Sequence, residues 1–241
     1  MLSGLYSTAR AMHMAEAEQH VISRNLAHIT MPGFRKQIVA YENQQPLADD
    51  LQDSPLMESR YTQAKAVHSF EAGRLEHTQR PLDVAIQGDG FFELEAPSGP
   101  VYTRNGVFIV NGEGQLTNMS GYPVQGVNGP IEFPDTISPS QIQIGFDGTV
   151  TADGNEVGRL KIASFQDNRQ LLAVGDTLFQ ANGQTATEMD QPNVMQGYRE
   201  MANVDATTEL VHMIMGMRHH EAAQRAMREI SESVQRHMTD Q

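Results

Sequence analysis

Cysteine and tryptophan are both absent from this chain of 241 residues. The lack of cysteine excludes disulfides, thiolate metal sites and cysteine nucleophiles, without fixing a compartment. Aromatic residues make up only 6% of the chain, a thin supply of anchors for a deep small-molecule pocket, and no small-molecule substrate is expected. No apolar run approaches the roughly 20 residues of a membrane span. No Lys/Arg run interrupts a net charge of −13, so phosphate backbones and anionic lipid surfaces are repelled and nucleic acid is not an expected partner. The stretch Met1 to Arg10 lacks the basic start and apolar block of a signal peptide, so an exported chain of this kind needs a route independent of one. What remains can still bury a real core, since 39% of residues are hydrophobic.

Helix breakers are missing as well, but only at the ends. All eleven prolines fall between Pro32 and Pro192, and of the twenty glycines only Gly4 and Gly216 lie outside Gly33 to Gly197. This spacing predicts a helix, a punctuated centre and a second helix. The first helix is expected from about Leu2 to about Ala27, ended by Pro32-Gly33. Leu5, Met12, Gln19 and Leu26 recur every seven residues, with Ala15, Ile22 and Ile29 in a second row. The second helix is expected from about Asn203 to about Met238, capped by Asn203 or Asp205. Leu210, Met213, Met217, His220, Gln224 and Met227 alternate in steps of three and four, and Val204, Thr207, Val211 and Ile214 form a row beside them. A face two rows wide asks for more than one neighbour, and two such helices at opposite termini point to packing on each other and on other chains.

The centre, from about Arg80 to Gly183, reads as short β-prone runs broken by Asn-Gly and Asp-Gly dipeptides: Asn105-Gly106, Asn111-Gly112, Asn128-Gly129, Asp147-Gly148, Asp153-Gly154 and Asn182-Gly183. No helical run of useful length interrupts them, so an antiparallel arrangement follows, a meander or partly closed barrel. The expected fold class is α+β, a central antiparallel β-rich body flanked by long N- and C-terminal helices able to form coiled coils. Its parts are an N-terminal helix over 1–31, an extended polar connector over 32–80, the β-rich body over 81–190 and the C-terminal helix over 191–241.

Catalytic and metal signatures fail one after another. His212, His219, His220 and Glu221 cluster on the second helix without an HExxH pattern, and two turns separate the rings of His212 and His219 too far to share one ion. Asp147 and Asp153 lie near glycines but lack the spacing and closing glutamate of a calcium loop. Gly88-Asp89-Gly90 and Gly112-Glu113-Gly114 are not followed by Lys-Ser/Thr, and no Gly-x-Ser-x-Gly elbow exists. No enzyme, metal or cofactor is expected. A carboxylate pair acting on cell wall stays open as an alternative, with nothing to single out a pair, as does a secreted binding module whose helices cap a β barrel.

Several segments resemble the flagellar rod and hook family. Asn25-Leu-Ala-His-Ile-Thr-Met-Pro-Gly-Phe-Arg35 is similar to its N-terminal signature. Arg80-Pro-Leu-Asp-Val-Ala-Ile-Gln-Gly-Asp-Gly-Phe-Phe92, Tyr102-Thr-Arg-Asn-Gly106, Gly121-Tyr-Pro-Val-Gln-Gly126 and Gly129-Pro-Ile131 are similar to its body motifs. Gln196-Gly-Tyr198 and Asn203-Val-Asp205, with Met213-Ile214, Arg218 and Glu221, are similar to its C-terminal signature. The match runs over nearly the whole chain in order. It departs at His28, Met31, Ala202 and His220, where the family usually has Asn, Thr, Ser and an aromatic. The length and the phrases Thr78–Ala85 and Val157–Lys161 most resemble the proximal-rod subunit, with the distal-rod subunit next and the longer hook protein as a further axial alternative.

The resemblance implies a self-assembling structural subunit of the bacterial flagellar basal body, exported by the flagellar export apparatus without a cleaved signal peptide and partnered by copies of itself and by other rod and hook proteins. It implies a periplasm-spanning rod whose inner tube is built from terminal helices, with no cofactor. The candidate assembly interface is then Leu5, Met12, Ile22, Asn25 and Leu26 with Val204, Leu210, Val211, Met213, Ile214, Met217 and Glu221. Gly33, Phe34, Gly197, Tyr198, Asn203 and Asp205 are the candidate junction residues between helices and body. Before assembly, ends of this composition are expected to be frayed and to order on docking, helped by eight methionines from Met189 onward.

Overall fold

The computed structural model describes residues 2–44, 61–134 and 137–239. The fold is α+β, with a β-rich body and a helix at each end of the chain. The described residues form two compact units, one of Met1–Ala27, Gln37–Ser69 and Asp205–Gln241, the other of His28–Lys36 and Phe70–Val204.

The first unit holds both helices and one hairpin. Helix α1 runs Leu2–Ala27, the span the breaker pattern predicts. Strands β1 (Gln37–Gln44) and β2 (Tyr61–His68) pair antiparallel without interruption, from Gln37 opposite His68 to Gln44 opposite Tyr61. Helix α2 runs Ala206–Thr239. It starts later than Asn203 because Asp205 takes the cap: its Oδ1 accepts the Thr208 N–H at 2.7 Å, satisfying one of the orphan donors of the first turn. Helix α1 packs on α2 and on both hairpin strands, and buries Ala15, Val21 and Ile22.

The second unit is the β-rich body, and every strand pair in it is antiparallel. No sheet closes on itself among the described residues. In place of one meander or partly closed barrel stand a six-stranded sheet, a three-stranded meander over Ile142–Ile144, Thr149–Ala152 and Asn155–Arg159, and several two-stranded ladders. Strands of two to six residues, cut short by turn dipeptides, do not supply the continuous stagger that closure requires. At Asp153-Gly154 the predicted turn forms with both φ positive, 51° and 81°. At Asn105-Gly106 the glycine serves space instead: a Cβ there would lie 1.7 Å from the Val84 carbonyl oxygen.

The six-stranded sheet is apolar on both faces, which explains the adjacent pair Phe91-Phe92. Successive side chains of a strand point to opposite faces. Phe92, Leu94, Val101 and Ile162 therefore join the main core with Val84, Phe108, Leu116, Val150, Leu160 and Val194. Phe91, Tyr102, Ala163 and Phe179 build a second cluster on the other face with Leu171, Phe70 and Phe165. Within that cluster the rings of Phe70, Phe91, Phe165 and Phe179 meet edge to face at 5.1–6.3 Å.

Candidate assembly surface

Along α2, five large apolar residues stay open to solvent: Leu210, Val211, Ile214, Met215 and Met217 are each 45–54% exposed. At 3.6 residues per turn they cover a broad arc rather than a scatter of points. The opposite side of the helix carries the buried or half-buried positions Glu209, Met213, Gly216, His220, Ala223 and Met227, in steps of four and three. Those steps keep the covered positions on one side of the helix. The row read from the sequence thus divides, with Met213 and His220 partly covered while Leu210 and Met217 are left open. Gly216 lets the helices come close, since a Cβ there would lie 3.1 Å from Gln19 Oε1.

On α1, Ile22 and Asn25 are buried, and Met12 and Leu26 are half-buried. Leu5 lies in the helix, but its side chain falls outside the described residues. Between the helices runs a groove of about 620 Å³, lined by Ala15, Glu16, Gln19, His20 and Ser23 from α1 and Met217, His220 and Glu221 from α2. His220, which departs from the family pattern, lies 2.8 Å from Gln224 Nε2.

Asn25 is the polar node of this unit. Its Oδ1 accepts the Gln37 N–H at 2.8 Å, and its Nδ2 donates to the Gln37 carbonyl at 2.9 Å and to Glu209 Oε2 at 3.1 Å. The side-chain amide thereby imitates a strand neighbour for the first residue of β1 and fixes the root of α2. An Asp or Leu would lose the donor or both partners, which gives a physical reason for Asn in the motif. Sequence reasoning picked out Asn25 but missed Glu209, which is only 1% exposed.

A separate polar clasp sits in the second unit. Gly33, with φ +71°, donates its N–H to the Glu200 carbonyl at 2.7 Å, and a Cβ there would lie 2.3 Å from the Asn105 backbone nitrogen. Phe34 is 1% exposed and stacks on His28 at 5.0 Å, while His28 Nε2 lies 3.6 Å from Asp176. Arg35, equally buried, donates to Glu200 Oε1 at 2.8 Å and to the Glu71 carbonyl at 2.9 Å. Arg104 reaches Glu200 Oε2 at 3.5 Å, donates to the Gly88 carbonyl at 2.7 Å and covers the Phe91 ring at 5.2 Å. Burial lowers its guanidinium to about 10, with Glu200 opposing the shift, so it is charged at neutral pH. Asn203 completes the clasp by accepting the Lys36 N–H at 2.6 Å and donating to the Glu71 carbonyl at 2.9 Å.

Gly197 stands where the chain changes partners. Val194–Gln196 pairs with Val84–Ile86, and Tyr198–Glu200 pairs with Leu75–His77. The φ of +76° at Gly197 makes the bend between the two ladders, and Tyr198 then packs its ring on His77 at 4.7 Å. Val204 is half-buried and Glu221 exposed. Glu200, at the end of a three-residue strand, and Arg104, in the bend after Thr103, were not singled out from the sequence, because a charged residue in such a short segment carries no local mark of burial. The signal lay in the phrase Gly33-Phe34-Arg35, whose arginine requires an anion once its neighbours are buried.

Among the described residues no group of three or more His, Asp or Glu side chains is placed to hold a metal ion. The family model described as the flagellar hook protein FlgE/F/G D1 domain matches residues 85–152, and the one described as the flagellar basal body rod FlgEFG protein C-terminal matches residues 195–239. The flagellar basal-body rod protein FlgG of Bacillus subtilis is 30% identical over 247 residues, covering 90% of this chain and 91% of that protein. The flagellar basal-body rod protein FlgF of Salmonella typhimurium is 32% identical over 245 residues, covering 95% and 94%. With relatives at that identity over almost the full length of both chains, the chain belongs to the family of flagellar basal-body rod proteins.

Proposed function

We propose that this chain is a structural, non-catalytic subunit of the bacterial flagellar rod, assembling axially with copies of itself and with other rod and hook proteins through its terminal helices. One observation carries the reading: the stripe Leu210, Val211, Ile214, Met215 and Met217 is left open by the chain's own packing. An apolar patch of this kind marks an interaction surface. Coiled-coil contacts between helices of neighbouring copies would cover it, and methionine suits a surface that meets several slightly different neighbours.

The place in the cell follows from the same reading. The chain would reach the basal body through the flagellar export apparatus without a cleaved signal peptide and become part of the periplasm-spanning shaft. The resemblance of Thr78–Ala85 and Val157–Lys161 to the proximal-rod subunit supports a proximal position over a distal one.

Leu210→Asp or Met217→Asp tests the stripe. Each places a charge where neighbouring apolar surface should close, without touching the core of the second unit. Incorporation into basal bodies and motility are expected to be lost while the circular dichroism of the purified protein is unchanged. Normal motility in both mutants would overturn the assignment of this face.

A further inference from the structure

We propose that Met215 and Met217 form a reversible oxidation site, and that their conversion to sulfoxides by hydrogen peroxide bars a free copy of this chain from joining the rod. The inference rests on the rod reading and adds a chemical control to the face that reading uses. The sequence holds fourteen methionines and no cysteine, so no thiol competes with thioether sulfur for a two-electron oxidant. Access then decides which sulfur reacts. Among the described residues the exposed methionines are Met119, Met215 and Met217, while Met189, Met195, Met201, Met213 and Met227 are half-buried. Two of the three open sulfurs thus belong to α2. Met217 stands one turn beyond Ile214 and Met215 one turn beyond Val211, so the pair occupies both sides of the open stripe.

In the reaction a sulfur lone pair attacks one oxygen of hydrogen peroxide. The S–O bond forms as the O–O bond breaks, sulfur loses two electrons, and the peroxide gains them. The departing hydroxide takes the proton of the transferred oxygen and leaves as water. A flexible apolar side chain becomes a polar one. Leu210, Val211 and Ile214 beside it carry no side-chain donor, so apolar surface closing over a sulfoxide buries an unpartnered acceptor. Docking of an oxidised copy is therefore penalised, whereas a copy already docked has its sulfurs covered. Methionine sulfoxide reductases, one for each sulfoxide epimer, reverse the change. Met119 belongs to the second unit and serves as the internal control.

Two kinds of measurement test the site. The purified full-length chain is treated with hydrogen peroxide and its peptides are read by mass spectrometry. Sulfoxide is expected at Met119, Met215 and Met217 well before Met189 and Met195, and treatment with the reductases should remove it. Oxidation of Met215 and Met217 no faster than that of Met189 and Met195 overturns the site. In cells, Met215→Gln with Met217→Gln imitates the polar sulfoxide without oxidant and is expected to cut incorporation into basal bodies about tenfold, with Met119→Gln unchanged. Normal incorporation of the pair, or an equal loss from Met119→Gln, overturns the control and leaves the rod reading standing. Peroxide exposure should lower incorporation of the parent chain but not that of Met215→Leu with Met217→Leu, each measured against its own unexposed level. Equal falls overturn the control, and this comparison decides if the glutamine pair fails to fold. Absence of the parent chain from basal bodies overturns the rod reading and the control with it.

Discussion

Glu200 compensates two guanidiniums at once, with all three side chains nearly or fully withdrawn from solvent. Removing one partner of a buried ion pair costs more than the pair contributes, because the remaining charge is left in a poorly polarisable surround. Glu200→Gln leaves both Arg35 and Arg104 uncompensated, and a loss of about 3–5 kcal/mol is expected. For a unit of this size that lowers the melting midpoint by roughly 10 °C. Arg35→Met leaves a one-to-one pair and should cost less, a ranking that calorimetry of the two variants checks; equal losses would mean that the second cation contributes no strain. Legibility at this scale followed the backbone. Gly33 and Gly197 were visible because each answers a need for positive φ, while Phe34 and Asn203 were visible only as parts of the motifs that contain them. Glu200, Arg104 and Glu209 were not, because burial of a charge is decided by residues far away in sequence: Glu200 and Arg35 are 165 positions apart.

Both helices were legible as elements, since a long stretch without breakers has few alternatives, and the start of α2 shifted only by the choice of Asp205 over Asn203 as cap. Which side of α2 faces α1 was not legible. Apolar residues occur on both sides, and the contact is decided by Gly216 and by the Asn25–Glu209 bond, neither of which reads as hydrophobic. The β1–β2 hairpin was obscured by its polarity, because a two-stranded ladder with an exposed Ile38 and Tyr41 lacks strict alternation. Its closing pair makes a pH prediction. Gln37 Nε2 lies 3.0 Å from His68 Nε2, a contact in which the neutral ring can accept from the amide. Burial, with the nearby Arg24 charge, holds His68 below its ordinary value of 6.5. As pH falls through 6.5 the unfolded chain takes up a proton that the folded one resists. The contribution of His68 is therefore complete above that pH and is lost as pH falls toward its lower folded value. Urea denaturation at about pH 7.5 and about pH 5.5 should show the acid loss in the parent chain and a smaller one in His68→Gln; identical losses would place the effect elsewhere.

At the scale of the whole molecule the two units differ in what holds them. The second is built on non-local pairings around two apolar clusters, and its sheet organisation escaped the sequence because adjacent phenylalanines such as Phe91 and Phe92 serve opposite faces. The first unit depends on two helices, of which α2 leaves a broad apolar arc open. Local opening is easiest where few buried apolar contacts resist it, and proteases report that order. Trypsin should therefore cut first in α2, where Arg218, Arg225 and Arg228 are all exposed, and slowest at the buried Arg35 and Arg104. Mass spectrometry of the first fragments from the isolated chain should show loss of the C-terminal helix with the body intact. In isolated basal bodies the α2 sites should resist at least as well as the body, because neighbouring copies would close the stripe and make opening of one helix require opening of its neighbours. Cleavage of α2 at the same rate free and assembled would mean that the open arc is not what the assembly buries, and the helices would then be caps on the chain rather than its joints.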